Sequence, residues 1–381
     1  MNTPVLILGA GQAAITLARE LRKLDAGLPL MLVTADGGGF YSKPSLSNAL
    51  LLKRDPEQLL QTPREVLAGQ LKAEIHAGVK VHAIDAAAHR IDTTAGSLDY
   101  GRLVLAVGAH PIRLPLAGDG ADDVLSVNHL DDYTVFRQRL EGARRVVILG
   151  AGLIGCEFAN DIVATGRQVT VLDLAPQALG RLLPPKSADF FRRRLETAGI
   201  VFHFGISAAR VDKVPGSYRI TDNTGAEVEA DLVVSAVGLK PAVELAQSAG
   251  LAVNRGIQVN TLLASSAADI YALGDCAEVQ GLVLPFVLPI MQQARALAKT
   301  LAGNPTAVTY PAMPVVVKTP ACPTVVCPPP AGAEGTWQEE VGAEGVTARY
   351  QDAQGRLLGF ALLGDTVSAR QTLAAQVPAW I

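Results

Sequence analysis

The chain has 381 residues, more than one hydrophobic core usually supports, so two or three domains are expected. With 49% apolar and 18% charged residues it can bury a large core, while 33 basic against 36 acidic residues leave a net charge of −3 and no general attraction to nucleic acid or anionic lipid. No apolar stretch approaches the ~20 residues of a membrane helix, and Cys156, Cys276, Cys322 and Cys327 are too dispersed for a secreted disulfide scaffold or a metal site, so a cytoplasmic, metal-free globular enzyme is the expectation.

The first apolar run, Val5 to Leu8, follows no basic residue and leads straight into glycines, which marks a strand rather than a secretory signal. It opens Val5-Leu-Ile-Leu-Gly9-Ala-Gly11-Gln12-Ala-Ala14, a segment that recurs as Val146-Val-Ile-Leu-Gly150-Ala-Gly152-Leu-Ile-Gly155. Each Val/Ile/Leu run has the pattern of a strand buried on both faces of a parallel sheet. Each continues into a helix-forming stretch, Ile15 to Leu24 and Cys156 to Thr165, then into another apolar strand, Leu30 to Val33 and Gln168 to Leu172. The unit is β-α-β, twice.

In such a unit the first glycine permits a tight turn, the second lets the backbone approach a pyrophosphate, and the third allows close helix–strand packing. The helix N-terminus then faces the phosphates with free N–H groups. One such turn is an ordinary strand-to-helix connection as readily as a nucleotide site; two, each with strand, helix and strand in place, predict two dinucleotide sites. An acid ~20 residues on would bind a ribose hydroxyl. Asp173 takes that place in the second unit, and no arginine stands beside it to receive a 2′-phosphate, which favours NADH over NADPH. In the first unit Asp36 arrives late, after Val33-Thr34-Ala35, and reads equally well as a turn residue.

Further along stand Leu103-Val-Leu-Ala-Val-Gly108-Ala, Asp231-Leu-Val-Val-Ser-Ala-Val-Gly238 and Ile270-Tyr-Ala-Leu-Gly274-Asp275-Cys276. With the two glycine turns, these resemble the glutathione-reductase-like flavoprotein reductases with two dinucleotide-binding domains, over nearly the whole chain. The resemblance implies an α/β fold with two Rossmann-type domains. An NAD-binding domain (114–244) would be inserted into an FAD-binding domain (1–113 and 245–312), with a small α+β C-terminal cap (313–381) whose start the prolines make irregular. Within this superfamily the chain is most similar to the rubredoxin–NAD reductases of alkane oxidation. The segments that carry this are Tyr41-Ser-Lys43-Pro-Ser-Leu-Ser47, Gly150 to Asp161, Leu273-Gly-Asp-Cys-Ala-Glu278, and Met313-Pro-Val-Val-Val-Lys318-Thr-Pro-Ala-Cys322-Pro323.

By that resemblance Gly9, Gly11 and Gln12 lie at the FAD pyrophosphate and Thr34 and Ala35 near its ribose. Val81 meets the adenine through its backbone, with a buried strand valine as the plain alternative. Asp275 contacts the ribityl and pyrophosphate region, and Val287 is a further FAD contact. Gly150, Gly152, Gly155, Asp173 and Gly238 belong to the NAD site. Lys43 and Lys318, otherwise surface lysines, are expected at the flavin ring, where positive charge stabilises the anionic reduced form. Glu157 is expected to order Lys43 by pairing with it. Cys322 and Cys327 have the spacing of a redox disulfide, but relatives that use one carry it in the first FAD segment, and residues 1–113 contain no cysteine; both are expected as inert packing residues.

The implied activity is transfer of hydride from NADH to FAD and then of single electrons to rubredoxin, as supply to alkane hydroxylation or to oxygen and peroxide detoxification. No protein nucleophile or general base is needed. A ferredoxin reductase of an oxygenase system, a general NADH oxidase and a non-enzymatic flavin or NADH redox sensor stay open as alternatives.

Overall fold

The computed structural model describes residues 3–381. Every residue of Val5–Leu8 is buried, as a central strand requires. The strand pairs in parallel with Leu30–Val33 on one side and Arg102–Leu105 on the other. Glu74–His76 and Ile270–Ala272 complete a five-stranded parallel sheet, so segments more than half the chain apart share one layer. The first helix, Gln12–Leu24, starts right after Gly11, earlier than the apolar pattern suggests, because Ala13 and Ala14 already belong to its buried face with Ile15, Leu17, Ala18 and Leu21. That face packs on the helix Val287–Leu301. Pro289, which in sequence breaks an apolar run, sits in the first turn of this helix, where no intrahelical N–H bond is lost.

The second unit repeats the plan with four parallel strands. Arg145–Leu149 lies between Gln168–Asp173 and Leu232–Ser235, and Ile200–Phe204 forms the outer edge. The chain passes from the first sheet to the second through Ala109–Pro111 and comes back through Leu239–Pro241. These two short strands pair with each other, so both crossings are held as one ribbon.

Residues 313–381 form a five-stranded antiparallel sheet in the order Val315–Val317, Thr324–Cys327, Leu357–Gly364, Gly345–Gln351, Thr336–Val341, followed by the short helix Arg370–Ala374. One face of it joins the core of the second unit. Val317, Cys322, Val326, Ala361 and Leu363 cluster with Phe158 and Phe191, and with Leu46 and Ala49 of the first segment. Burying a side chain such as Phe158 contributes ~1.5–3 kcal/mol over leaving it exposed, so this shared core fixes all three pieces together. Among the described residues, no helix is long and apolar enough to cross a membrane.

Candidate functional site

Both glycine turns lie at the carboxyl ends of parallel strands, where ligands of open α/β sheets bind. Gly9 and Gly150 have φ of +113° and +108°, and their N–H groups donate to Val33 and Leu172 carbonyls, each at 2.8 Å. A side chain at Gly9 would strike the Ala106 carbonyl oxygen, and one at Gly150 would lie 2.7 Å from that of Ala236. Each turn is thus wedged between the second and third strands of its unit. Gly11 and Gly152 cap the following helices in extended conformation, and open space lies where a Cβ would point. A pyrophosphate needs that room beside a helix N-terminus. The third position differs. Any Cβ at Gly155 would collide with the Gly150 carbonyl oxygen, whereas the first unit tolerates Ala14 there, fully buried.

Asp173 ends its strand with its carboxylate turned to the loop. Oδ1 accepts from Ala175 N at 2.7 Å and Oδ2 from Ala151 N inside the glycine turn. A carboxylate has about four lone-pair sites, so it keeps capacity for a ribose hydroxyl. Asp36 instead organises its own turn, accepting from Thr34 Oγ1 at 2.8 Å and Gly38 N at 2.9 Å. Thr34 is buried and Ala35 exposed. The Thr34 carbonyl accepts from Val79 N at 2.9 Å, which brings Val81, the half-buried first residue of the strand Val81–Asp85, to the same end of the sheet. Gln12 bonds to Thr16 one turn along its helix, at 3.1 Å. Gly238 lies on the return crossing, where its carbonyl accepts from Ile112 N at 3.0 Å.

At the other end of the first glycine turn, the turn Gly274-Asp275-Cys276 abuts the first helix: a Cβ at Gly274 would lie 2.7 Å from that of Ala13. Gly274 N donates to Gln293 Oε1 at 2.6 Å, and Gln293 Nε2 to the Tyr310 hydroxyl at 2.7 Å. Burial pushes the Asp275 carboxyl up, and Lys43 draws it down; burial lowers the Lys43 ammonium, and Asp275 holds it up. The two therefore act on each other through space. Val287 is the exposed first residue of its helix, whose N-terminus has no side-chain cap.

Glu157 pairs with Lys318, which corrects the expected pairing with Lys43. It is fully buried, with Lys318 Nζ on Oε2, Lys318 N–H on Oε1 at 2.8 Å and the Ser47 hydroxyl on Oε2 at 2.5 Å. A buried carboxylate needs its charge met and its lone pairs filled. The cap delivers an ammonium and an amide from one residue, and Lys43 donates to Asn128 Oδ1 at 3.2 Å instead. Next to Glu157 on the same helix face, Asn160 Oδ1 accepts from Ala321 N at 3.1 Å, and Asp161 accepts from Leu50 N at 2.9 Å and Leu51 N at 2.8 Å. Burial pushes the Asp161 carboxyl up to about 6. Ser47, Asn160 and Asp161 lie in segments that carry the resemblance but have no role assigned by it, and Asn128 and Gln293 belong to no motif. One signal was available: polar residues at positions 157, 160 and 161 share one helix face, in a segment otherwise almost wholly apolar.

All four cysteines are buried and unpaired. Burial pushes Cys276 and Cys327 up to about 11 and raises Cys322 as well, so thiolate is scarce at neutral pH.

Residues 3–300 match the family described as pyridine nucleotide-disulphide oxidoreductase, and residues 307–377 match the rubredoxin binding C-terminal domain. The chain is 48% identical to the Rubredoxin-NAD(+) reductase of Acinetobacter baylyi, with 98% of each chain covered, and 45% identical to that of Alcanivorax borkumensis, with 99% of each covered. The ferredoxin reductase for the CYP199A2 system of Rhodopseudomonas palustris superposes with a TM-score of 0.89 at 30% identity, covering 99% of this chain and 96% of that one. The chain belongs to the pyridine nucleotide-disulphide oxidoreductase family, in the branch that carries a rubredoxin-binding C-terminal domain.

Proposed function

We propose that this chain takes hydride from NADH onto bound FAD and passes the electrons singly to a rubredoxin. The observation that carries this is the match of residues 307–377 to a rubredoxin-binding domain, in a chain that pairs end to end with a reductase named for rubredoxin and NAD(+). The first turn suits FAD: Gly11 opens onto space at a helix N-terminus, and the largely buried Asp275 carboxyl has no hydrogen-bond partner among the described residues.

When bound, FAD supplies the hydride and one-electron chemistry. The chain's own residues bind and orient. Gly9, Gly11, Gln12, Thr34, Ala35, Val81, Asp275 and Val287 are assigned to FAD, and Gly150, Gly152, Gly155, Asp173 and Gly238 to NADH. Lys43 and Lys318 bring positive charge to the flavin ring, where negative charge builds on reduction, and Glu157 orients Lys318. The binding assignments imply an FAD-binding domain of residues 1–113 and 245–312, an NAD-binding domain of 114–244 and a cap of 313–381. Four unpaired thiols suit a reducing compartment, and we place the enzyme in the cytoplasm.

Steady-state assays with NADH test this. Rubredoxin should be reduced with a far higher kcat/KM than a ferredoxin. Fast ferredoxin and slow rubredoxin reduction would move the chain to the oxygenase reductases, and failure of NADH to bleach the flavin would favour a sensor.

A further inference from the structure

We propose that Asn128 is a positioning residue that holds the Lys43 ammonium at the flavin and so sets the flavin's reduction potential. The proposal rests on the assignment of Lys43 to the flavin ring.

Asn128 is 3% exposed, at the start of the second unit, two residues before the helix Leu130–Glu141. Its backbone N–H donates to Asp132 Oδ2 at 2.9 Å, and its Nδ2 donates to the Ala109 carbonyl at 3.0 Å, on the crossing ribbon. With the amide nitrogen committed, the amide oxygen points to Lys43 and accepts from Nζ at 3.2 Å. That bond is the side-chain hydrogen bond of Lys43 among the described residues; Asp275, Asp132 and Asp36 act on the ammonium only through longer-range attraction.

The two lysines are held differently. Lys318 meets a carboxylate, which offsets part of its charge. Lys43 meets a neutral amide, which fixes direction and leaves the charge intact. Glu157 already accepts three bonds, two from Lys318 and one from Ser47, and none from Lys43. A free lysine stem has many rotamers open to it, so without Asn128 the ammonium would spread over orientations farther from the ring. The effect of Asn128 on the flavin should therefore pass entirely through Lys43.

Spectroscopic redox titration of the FAD-loaded protein tests this as a cycle of Lys43→Met, Asn128→Ala and the double variant. Lys43→Met should shift the midpoint potential to more negative values, Asn128→Ala should shift it in the same direction by less, and the double variant should equal Lys43→Met alone. A merely structural residue would give independent, additive shifts or none. Should Asn128→Ala fail to hold FAD, Asn128→Ser, which keeps a hydroxyl donor near Ala109, takes its place in the cycle. A shift in Lys43→Met with none in the Asn128 variant overturns the proposal alone. No shift in Lys43→Met removes Lys43 from the flavin and the proposal with it. Additive shifts also overturn it.

Discussion

The two glycine-turn helices begin alike and are held by opposite means. Gln12–Leu24 buries only apolar residues, against another helix of its own unit. Leu153–Val163 buries Glu157, Asn160 and Asp161 as well, and each of these bonds to a different part of the chain, the cap or residues 47–51. The first helix is packed; the second is latched. Apolar packing is tolerant of small changes, while a buried polar latch is sensitive to the loss of any member. The second helix is thereby tied to both residues 47–51 and the C-terminal sheet segment through specific bonds.

The sharpest way to break this contrast is Lys318→Met. It leaves Glu157 buried with only Ser47 and one amide, and removal of one partner of a buried pair costs about 3 kcal/mol. Thermal or denaturant unfolding should show that loss, and adding Glu157→Gln should restore most of it. A neutral outcome for Lys318→Met alone would mean that the Lys318–Glu157 pair adds nothing to the latch.

Gly155→Ala comes next. Its methyl would force the second helix away from the Gly150 carbonyl, at a cost of ~1–3 kcal/mol, so NADH should reduce the flavin about tenfold or more slower, while dithionite still bleaches it and FAD stays bound. The counterpart Ala14→Gly should lose only up to ~1 kcal/mol of helix stability and keep both activities. Equal effects at the two positions would erase the distinction between the turns.

Asp173→Ala removes the brace on Ala151 and Ala175. Losing hydrogen bonds to a charged group costs ~1.5–3 kcal/mol each when unmet, partly recovered by water at this half-buried site. The kcat/KM for NADH should fall about tenfold and that for NADPH by less, so the preference narrows. Unchanged discrimination would return Asp173 to a purely structural role.

The smallest effect is a pH dependence at Asp161. Burial sets its folded pKa at about 6, above the unfolded value of ~3.9, so the native state holds the proton more tightly. Its contribution to stability is fully present below pH ~4 and is lost as pH rises through about 6. Relative to Asp161→Asn, the wild-type protein should lose about 1–2 kcal/mol between pH 4 and 7 in denaturant unfolding. Parallel curves for the two proteins would mean that the Leu50 and Leu51 amides offset the effect of burial on the Asp161 carboxyl.

Both sheets, both glycine turns and the crossing segments were legible because their signals are local: an apolar run, glycines at fixed offsets, a following acid. The polar latch was not. Ser47 and Glu157 are 110 residues apart, Glu157 and Lys318 161, and Lys43 and Asn128 85, and no periodicity links them. Hence Lys43 and Glu157, both seen as site residues, were matched to each other when each has a different partner. Helix starts were misplaced for a related reason: alanines such as Ala13 and Ala14 are buried by the close approach of Val287–Leu301, which the local pattern does not announce.

Electron transfer from NADH through the flavin to rubredoxin is tested most directly by a single turnover without oxygen. One equivalent of NADH should bleach the flavin, and oxidised rubredoxin then mixed with that reduced protein should lose its visible colour in step with the return of flavin absorbance, at two rubredoxins per flavin. A flavin that NADH reduces but that stays reduced in the presence of oxidised rubredoxin would contradict it.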